Sequence, residues 1–239
     1  MLNVATYRFF NLDNPEALAQ TLRQYLKSLE LKGTVLLAQE GINLFLAGSP
    51  EAIKTFREIM CQPEMPTALH DLDYKESWSE TIPFKRLKVK VKPEIVTFRQ
   101  PSLSPAQQRA PGVTPYTLKA WLDASDDVIL LDTRNTFEFK HGAFEKSVHL
   151  GNDDFCAFAE AVKVLPEDWK HKRIVTFCTG GIRCEKAAPF MRHQGFEDVY
   201  QLEGGILRYF EQVGHQHYEG ECFVFDDRVA VDEELQPRA

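Results

Sequence analysis

One stretch decides the fold of the C-terminal half: Lys172-Arg173-Ile174-Val175-Thr176-Phe177-Cys178-Thr179-Gly180-Gly181-Ile182-Arg183-Cys184. Its first half is apolar and β-branched, which predicts a short buried strand that ends at Cys178. Gly180 and Gly181 then let the chain curl, so that backbone N–H groups turn toward the sulfur. A helix is predicted to follow over residues 185–194. The pattern is therefore a strand, a tight loop and a helix in immediate succession.

The loop has the chemistry of an anion site centred on Cys178. Its N–H groups, the Arg183 cation and the positive start of the next helix all favour a negative charge and lower the pKa of a thiol. We therefore predict that Cys178 is the nucleophile. A buried structural cysteine is the alternative, and a bare cysteine after a strand would favour it. The predicted anion-binding residues are Thr179, Gly180, Gly181, Ile182 and Arg183.

Composition places the chain among ordinary globular proteins. It has 239 residues, 44% hydrophobic and 26% charged, which predicts one or two domains with sizeable cores. No apolar run reaches membrane-spanning length and the N-terminus has no signal-peptide pattern, so no membrane partner is predicted. The five cysteines are odd in number and scattered, which favours a reducing cytoplasm over a disulfide framework. Their spacing predicts no metal site, and nothing indicates an oligomeric state.

The N-terminal segment, residues 1–98, predicts an α+β domain. Strand patterns and helix starts alternate in the order β-α-β-β-α-β, which is the ferredoxin-like, or acylphosphatase-like, plan. Both helix starts carry a capping residue followed by proline. The predicted strands cover residues 3–10, 34–39, 44–47 and 84–91.

The last of these strands is rich in positive charge. The basic residues in it and next to it are Lys85, Arg86, Lys88, Lys90 and Lys92. Period-two alternation puts Lys88, Lys90 and Lys92 on one face and turns Leu87, Val89 and Val91 toward the core. One interpretation is a stripe that contacts an RNA phosphate backbone. Because the net charge of the chain is −7, RNA binding would require a local basic patch of this kind. The other is a solvated edge strand on which lysine prevents aggregation.

The rest of the chain predicts a linker, a second domain and a tail. Residues 99–115 hold four prolines and read as a linker. Strand and helix patterns alternate over residues 116–215, which predicts an α/β domain with a doubly wound, mainly parallel sheet. Chemistry in such sheets lies at the carboxyl ends of strands, where Asp132-Thr133-Arg134 and Cys178 would converge. Residues 216–239 form the predicted tail.

Several residues around the loop have two interpretations each. Asp132 and Arg134 are predicted to brace the loop rather than to react. Arg183 either holds an anionic group or makes a plain salt bridge to Asp132. Cys184 either resolves an oxidised Cys178 or is a small core residue. Turn roles are the simpler explanation for the remaining candidates, which are Glu40, Asn43, His141, Gly204 and Gly205.

The Cys-x4-Arg loop resembles the active-site loop of the rhodanese superfamily. A phosphate-binding cysteine loop has one more residue, so a phosphatase is disfavoured. The segment Asp132-Thr133-Arg134…Glu138-Phe139 adds to the likeness, which runs from about residue 126 to 214. With the preceding Gln39-Glu40-Gly41-Ile42-Asn43 domain, nearly the whole chain resembles the bacterial tRNA uridine hydroxylases.

This resemblance implies an activity that composition and spacing do not show. It implies oxygen-dependent 5-hydroxylation of the wobble uridine, position 34, in tRNA, with Cys178 essential and acting through a persulfide. Molecular oxygen is then a co-substrate and tRNA the partner; no other cofactor is identifiable. Many family members continue past the segment that corresponds to residues 220–226 into a cysteine-rich tail, whereas this sequence has only Cys222 in that region. Two alternatives stay open: a persulfide sulfurtransferase, and a non-enzymatic tRNA-binding or redox-sensing module.

Overall fold

A computed structural model of the chain describes residues 1–237, so the last two residues of the predicted tail lie outside the described part. The chain forms two compact units, the first over Met1–Val96 and the second beginning at Thr97. No helix in the described part is both long and apolar enough to cross a membrane.

The first unit is an α+β domain with one five-stranded mixed sheet. Its elements are β1 (Leu2–Phe9), α1 (Pro15–Ser28), β2 (Lys32–Ala38), β3 (Gly41–Gly48), α2 (Pro50–Met60), a 3-10 turn (Thr67–Leu69), β4 (Lys75–Trp78) and β5 (Leu87–Val91). Asn14 and Ser49 cap the two helices through their side chains, as the sequence predicts. Leu22, Leu26 and Phe56 bring the helices into the core against the sheet.

The sheet order β4-β1-β3-β2-β5 corrects one assignment. The fourth strand of the β-α-β-β-α-β plan is β4, which pairs antiparallel with β1. The predicted strand over residues 84–91 is instead β5, an additional edge strand that runs parallel to β2. The sequence favours β5 as the fourth strand because β5 alternates apolar and polar residues clearly. β4 (Lys-Glu-Ser-Trp) has no such apolar signal and is a strand only through its pairing.

The second unit is an α/β domain. Its elements are β6 (Gly112–Val113), α3 (Pro115–Asp123), β7 (Val128–Asp132), α4 (Thr136–Phe139), β8 (Gly142–Phe144), β9 (Val148–His149), α5 (Phe155–Val162), a 3-10 turn (Glu167–His171), β10 (Arg173–Phe177), α6 (Cys184–His193), β11 (Asp198–Leu202), α7 (Gly205–Val213), β12 (Tyr218–Gly220), β13 (Cys222–Phe223) and β14 (Ala230–Val231). β6 falls within the segment whose composition predicts a linker.

The main sheet of this unit is parallel throughout, in the order β6-β11-β10-β7-β9. This confirms the predicted α/β class. β10 is the central strand, and its last residue, Phe177, lies opposite Asp132 at the end of β7. The two candidate segments therefore meet at one edge of the sheet. Two antiparallel pairs complete the unit, β12 with β8 and β13 with β14.

Candidate active site

Cys178 lies directly after the central strand with its thiol almost fully enclosed, at 1% exposure. The N–H of Gly181 donates to its sulfur at 3.1 Å, and the N–H of Arg183 also donates to it. Gly181 has φ of +96°, a conformation that glycine adopts without strain. The loop thus turns the N–H groups of Gly181 and Arg183 toward the sulfur.

The balance of forces on this sulfur favours a thiolate. Burial raises the pKa of Cys178, but a hydrogen bond from the Cys184 thiol, the charge of Arg183, and the N–H groups of Arg183 and Gly181 oppose it. Together they lower the pKa to about 6 from the usual 9.0. Burial and the neighbouring Cys178 raise the pKa of Cys184 well above its usual value. Of the two thiols, Cys178 is therefore the one that ionises first.

Cys184 is the first residue of α6 and is fully buried. Its sulfur lies 3.8 Å from the Thr133 hydroxyl, and its thiol donates to Cys178. It is a small core residue, as one interpretation predicts, and it also contacts the Cys178 sulfur; that it resolves an oxidised Cys178 stays a prediction. All five cysteines of the chain are free thiols.

The partner of Arg183 is Glu138 rather than Asp132. The guanidinium Nη1 and Nη2 atoms donate to the two carboxylate oxygens at 2.7 and 2.6 Å. Glu138 is fully buried and also accepts the backbone N–H of Asn135 at 3.1 Å. A bidentate bond of this kind fixes the plane and position of the arginine. Arg183 therefore holds the loop closed and supplies a stationary positive charge beside the sulfur.

Asp132 pairs instead with Arg134, two residues along the chain. The Arg134 Nη2 atom donates to the Asp132 carboxylate at 2.6 Å, and both side chains have 0% exposure. The same Nη2 donates to the Gly142 carbonyl at 2.7 Å. Between them, the Thr133 hydroxyl donates to the Phe177 carbonyl at 3.0 Å. This segment stabilises the strand ends on which the cysteine loop stands.

Gly205 supports the loop from the opposite side. The N–H groups of Ile206 and Leu207, at the start of α7, donate to the carbonyls of Cys178 and Thr179 at 3.0 Å each. A Cβ on Gly205 would lie under 3.0 Å from backbone atoms of Cys178, Thr179 and Gly181. The Gly204-Gly205 pair therefore serves the predicted turn and packing, but the partner it packs against is the candidate active loop.

The segment after α7 covers the loop, which the sequence did not indicate. The Thr179 hydroxyl donates to the Phe223 carbonyl at 3.3 Å. The Phe225 ring centroid lies 5.9 Å from the Arg183 guanidinium carbon. Cys222 is buried in the same strand, and burial raises the pKa of its thiol to about 12. No group of three or more metal-ligating side chains occurs in the part of the chain that is described.

The basic candidates lie in the first unit. The basic candidates are not buried: Lys88 and Lys90 lie in the edge strand β5, Lys85 and Arg86 precede it, and Lys92 directly follows it. Val89 is buried as predicted, whereas Val91 at the end of the strand is 36% exposed and lies outside the core. Because β5 is an edge strand, both the RNA-binding and the anti-aggregation interpretations are compatible with its position.

Glu40 and Asn43 hold the end of the first unit. The Glu40 Oε1 atom accepts the Ile95 N–H at 2.7 Å, and the Asn43 side-chain N–H donates to the Ile95 carbonyl at 3.2 Å. The two side chains thus fix the backbone of Ile95 from both sides. This anchoring is more than the local turn that their sequence predicts, since it joins the β2–β3 turn to a segment about fifty residues further along the chain.

Comparisons with known proteins agree with the two units. Residues 1–95 match the family model described as UPF0176 acylphosphatase like domain, and residues 114–212 match the Rhodanese-like domain. A solution NMR structure of a Rhodanese-like domain from Anabaena sp aligns with 46% of this chain and 80% of that chain, at 23% identity and a TM-score of 0.39. The two family matches and the cysteine loop define a rhodanese-domain protein with an acylphosphatase-like N-terminal domain.

Curated relatives match over the whole length. The tRNA uridine(34) hydroxylase of Variovorax paradoxus (strain S110) is 48% identical over 244 residues, which is 100% of this chain and 92% of that protein. The protein of the same name from Bordetella petrii is 48% identical, over 99% of this chain and 95% of that protein. The chain belongs to the tRNA uridine(34) hydroxylase family.

Substitution Gly205→Ala tests the support of the loop. We expect a loss of stability on the order of 4 kcal/mol, because its Cβ would meet three backbone atoms that cannot move independently. Gly151→Ala is the matched control: its φ is +72°, close to the +66° of Gly205, but nothing lies within 4 Å of its Cβ. The control should lose only about 1 kcal/mol from backbone strain. Equal losses in denaturant unfolding would contradict the proposed contact.

Proposed function

We propose that this protein catalyses oxygen-dependent 5-hydroxylation of uridine 34 in tRNA, with Cys178 as the nucleophile. The observation that carries the proposal is the Cys178 sulfur, which accepts the Gly181 N–H in the cysteine loop of a chain that belongs to this family throughout its length. The reaction takes place in the cytoplasm, where tRNA is found and where free thiols such as these persist. Molecular oxygen is the co-substrate: one oxygen atom enters C5 as the hydroxyl group, and the other leaves as water with two electrons from an external reductant.

The loop residues have distinct roles in this proposal. Cys178 provides the nucleophilic sulfur, either as its own thiolate or as a persulfide. The N–H groups of Gly181 and Arg183 donate to that sulfur and stabilise its negative charge, while Thr179, Gly180 and Ile182 complete the turn that brings them there. Arg183 acts as a fixed charge, since Glu138 occupies two of its N–H donors. Asp132 and Arg134 are positioning residues, because their hydrogen bonds are made to each other and to the backbone.

The basic stripe of β5 supplies the RNA contact in the proposal. Lysines at alternate positions of one strand point the same way and lie about 7 Å apart, a spacing close to that of successive phosphates. Lys88 and Lys90 lie in β5 and Lys92 directly follows it at the next alternate position, and each is exposed. Binding to phosphate is independent of base sequence, so the stripe positions tRNA without selecting it.

The activity is tested by nucleoside mass spectrometry of bulk tRNA from cells that lack the gene and carry a plasmid copy. We expect wild type to restore 5-hydroxyuridine-derived nucleosides and Cys178→Ala to abolish them, because no other thiol occupies the loop. Cys61→Ala, which removes an exposed thiol of the first unit, should behave as wild type. Loss of thiouridine with 5-hydroxyuridine intact would instead favour the sulfurtransferase. No change in either nucleoside would leave a binding module.

The RNA contact is tested by replacing Lys88, Lys90 and Lys92 together with alanine. We expect tRNA affinity to fall about tenfold at low salt, and the slope of log Kobs against log salt to shrink by about 0.9 for each phosphate that the stripe no longer neutralises. A control with the same change in charge replaces three lysines that already pair with carboxylates, Lys119, Lys163 and Lys170. Equal effects of the two triple variants would remove the stripe from the proposal.

A further inference from the structure

A cluster of partly exposed aromatic side chains lies beside the cysteine loop and takes no part in the roles assigned to the loop residues. Phe223 lies at its centre, with ring centroids 5.1 Å from Phe137 and 5.1 Å from Phe225. The His141 ring is a further 5.4 Å from Phe223. Phe137 is 45% exposed and Phe225 is 50% exposed. We call Phe137, Phe223, Phe225 and His141 the aromatic platform.

The geometry of the platform leaves ring surface open. Phe137 and Phe225 each lie nearly perpendicular to Phe223, at 84° and 86°. Perpendicular rings meet edge to face, so the two outer rings are not stacked on the central one. Each outer ring therefore leaves part of its apolar surface in water. A ring that keeps half of its surface in solvent is available to contact a ligand.

The platform is continuous with the candidate active loop. The Phe223 carbonyl accepts the hydroxyl of Thr179, the residue after Cys178, at 3.3 Å. The Phe225 ring centroid is 5.9 Å from the guanidinium of Arg183, at the other end of the loop. A planar group lying on these rings is thus held next to both ends of the segment that surrounds the reactive sulfur.

We propose that the aromatic platform stacks an unpaired nucleobase of the tRNA anticodon loop, either uridine 34 or a base next to it. This inference rests on the proposed function and adds the residues that bind the base. Single-stranded RNA is recognised by splaying its bases onto aromatic side chains, whose flat faces match a base of any sequence. The nearby side chains of Asp226 and Arg228 pair with each other at 2.7 Å.

The two units have different roles in binding RNA in this proposal. The lysines of β5 contact phosphate and carry no information about which nucleotide is bound. A stacking surface beside Cys178 acts only on a base that has left the anticodon stack. The platform therefore places the substrate nucleotide, and loss of its rings should affect binding of loop RNA more than binding of duplex RNA.

The experiment measures binding of the full chain to a synthetic anticodon stem-loop RNA in which 2-aminopurine follows uridine 34. We expect Phe137→Ala and Phe225→Ala each to raise Kd about tenfold and to reduce the quenching of 2-aminopurine, because a stacking face is removed. Phe137→Tyr and Phe225→Tyr keep the ring and should bind as wild type, which separates stacking from damage to the fold. The control is Tyr116→Ala, an aromatic residue of α3 in the same unit that is 62% exposed.

The outcomes distinguish this inference from the proposed function. Suppose that the alanine variants bind and quench as wild type does, and that wild type forms 5-hydroxyuridine. The stacking proposal is then wrong and the proposed function stands; the rings would instead contact a protein. If Tyr116→Ala weakens binding as much as Phe225→Ala, the effect is general and the platform is also wrong. If wild type forms no 5-hydroxyuridine but quenching still depends on Phe137 and Phe225, the function fails and stacking is supported.

Discussion

A negatively charged sulfur that is almost sealed from water is the constraint on which the rest of the second unit depends. Burial by itself favours the neutral thiol, so a thiolate at Cys178 requires donors and positive charge that are already in place. The loop supplies amide N–H groups, Arg183 and the Cys184 thiol. Each of these groups has to be oriented before substrate binds. If the loop changed conformation, the donors would move away and the Cys178 sulfur would become protonated.

The surrounding structure can be understood as the means of orienting those groups. A buried arginine without a counterion would be costly, and Glu138 both neutralises Arg183 and sets its plane. The end of β7 is fixed in turn by the Asp132–Arg134 pair. From the other side, the start of α7 donates two hydrogen bonds to the loop carbonyls, and only glycine at position 205 allows that approach. Each support comes from a different element of the second unit.

Local patterns in the sequence predict the parts of this arrangement that are themselves local. The strand, the glycine loop and the inward amides all follow from residues within one short stretch, and the parallel sheet follows from alternating patterns. Long-range contacts are not predictable in this way. Glu138 and Asp132 are equally acidic in sequence, and only the position of α4 selects Glu138 as the partner of Arg183. The aromatic residues after α7 carry no periodic signal that would place them over the loop.

The first unit shows the same limit in a sheet. β5 has a clear alternating pattern that suits the fourth strand of the plan, whereas β4 has almost none and occupies that place through pairing with β1. The sequence alone does not show which of these two segments is the fourth strand of the plan. That depends on which strands they pair with. The charged stripe, in contrast, depends only on period two, and its three lysines are exposed as predicted.

The most direct test of the central claim is a titration of the Cys178 thiolate by its ultraviolet absorbance, as the difference between wild type and Cys178→Ser. The structure predicts a midpoint at about pH 6. Because folding lowers this pKa, the thiolate should stabilise wild type over Cys178→Ser fully above the unfolded pKa, and this advantage should disappear as the pH falls through 6. A midpoint at or above the usual 9.0 would contradict the account, because the loop would then hold an ordinary buried thiol.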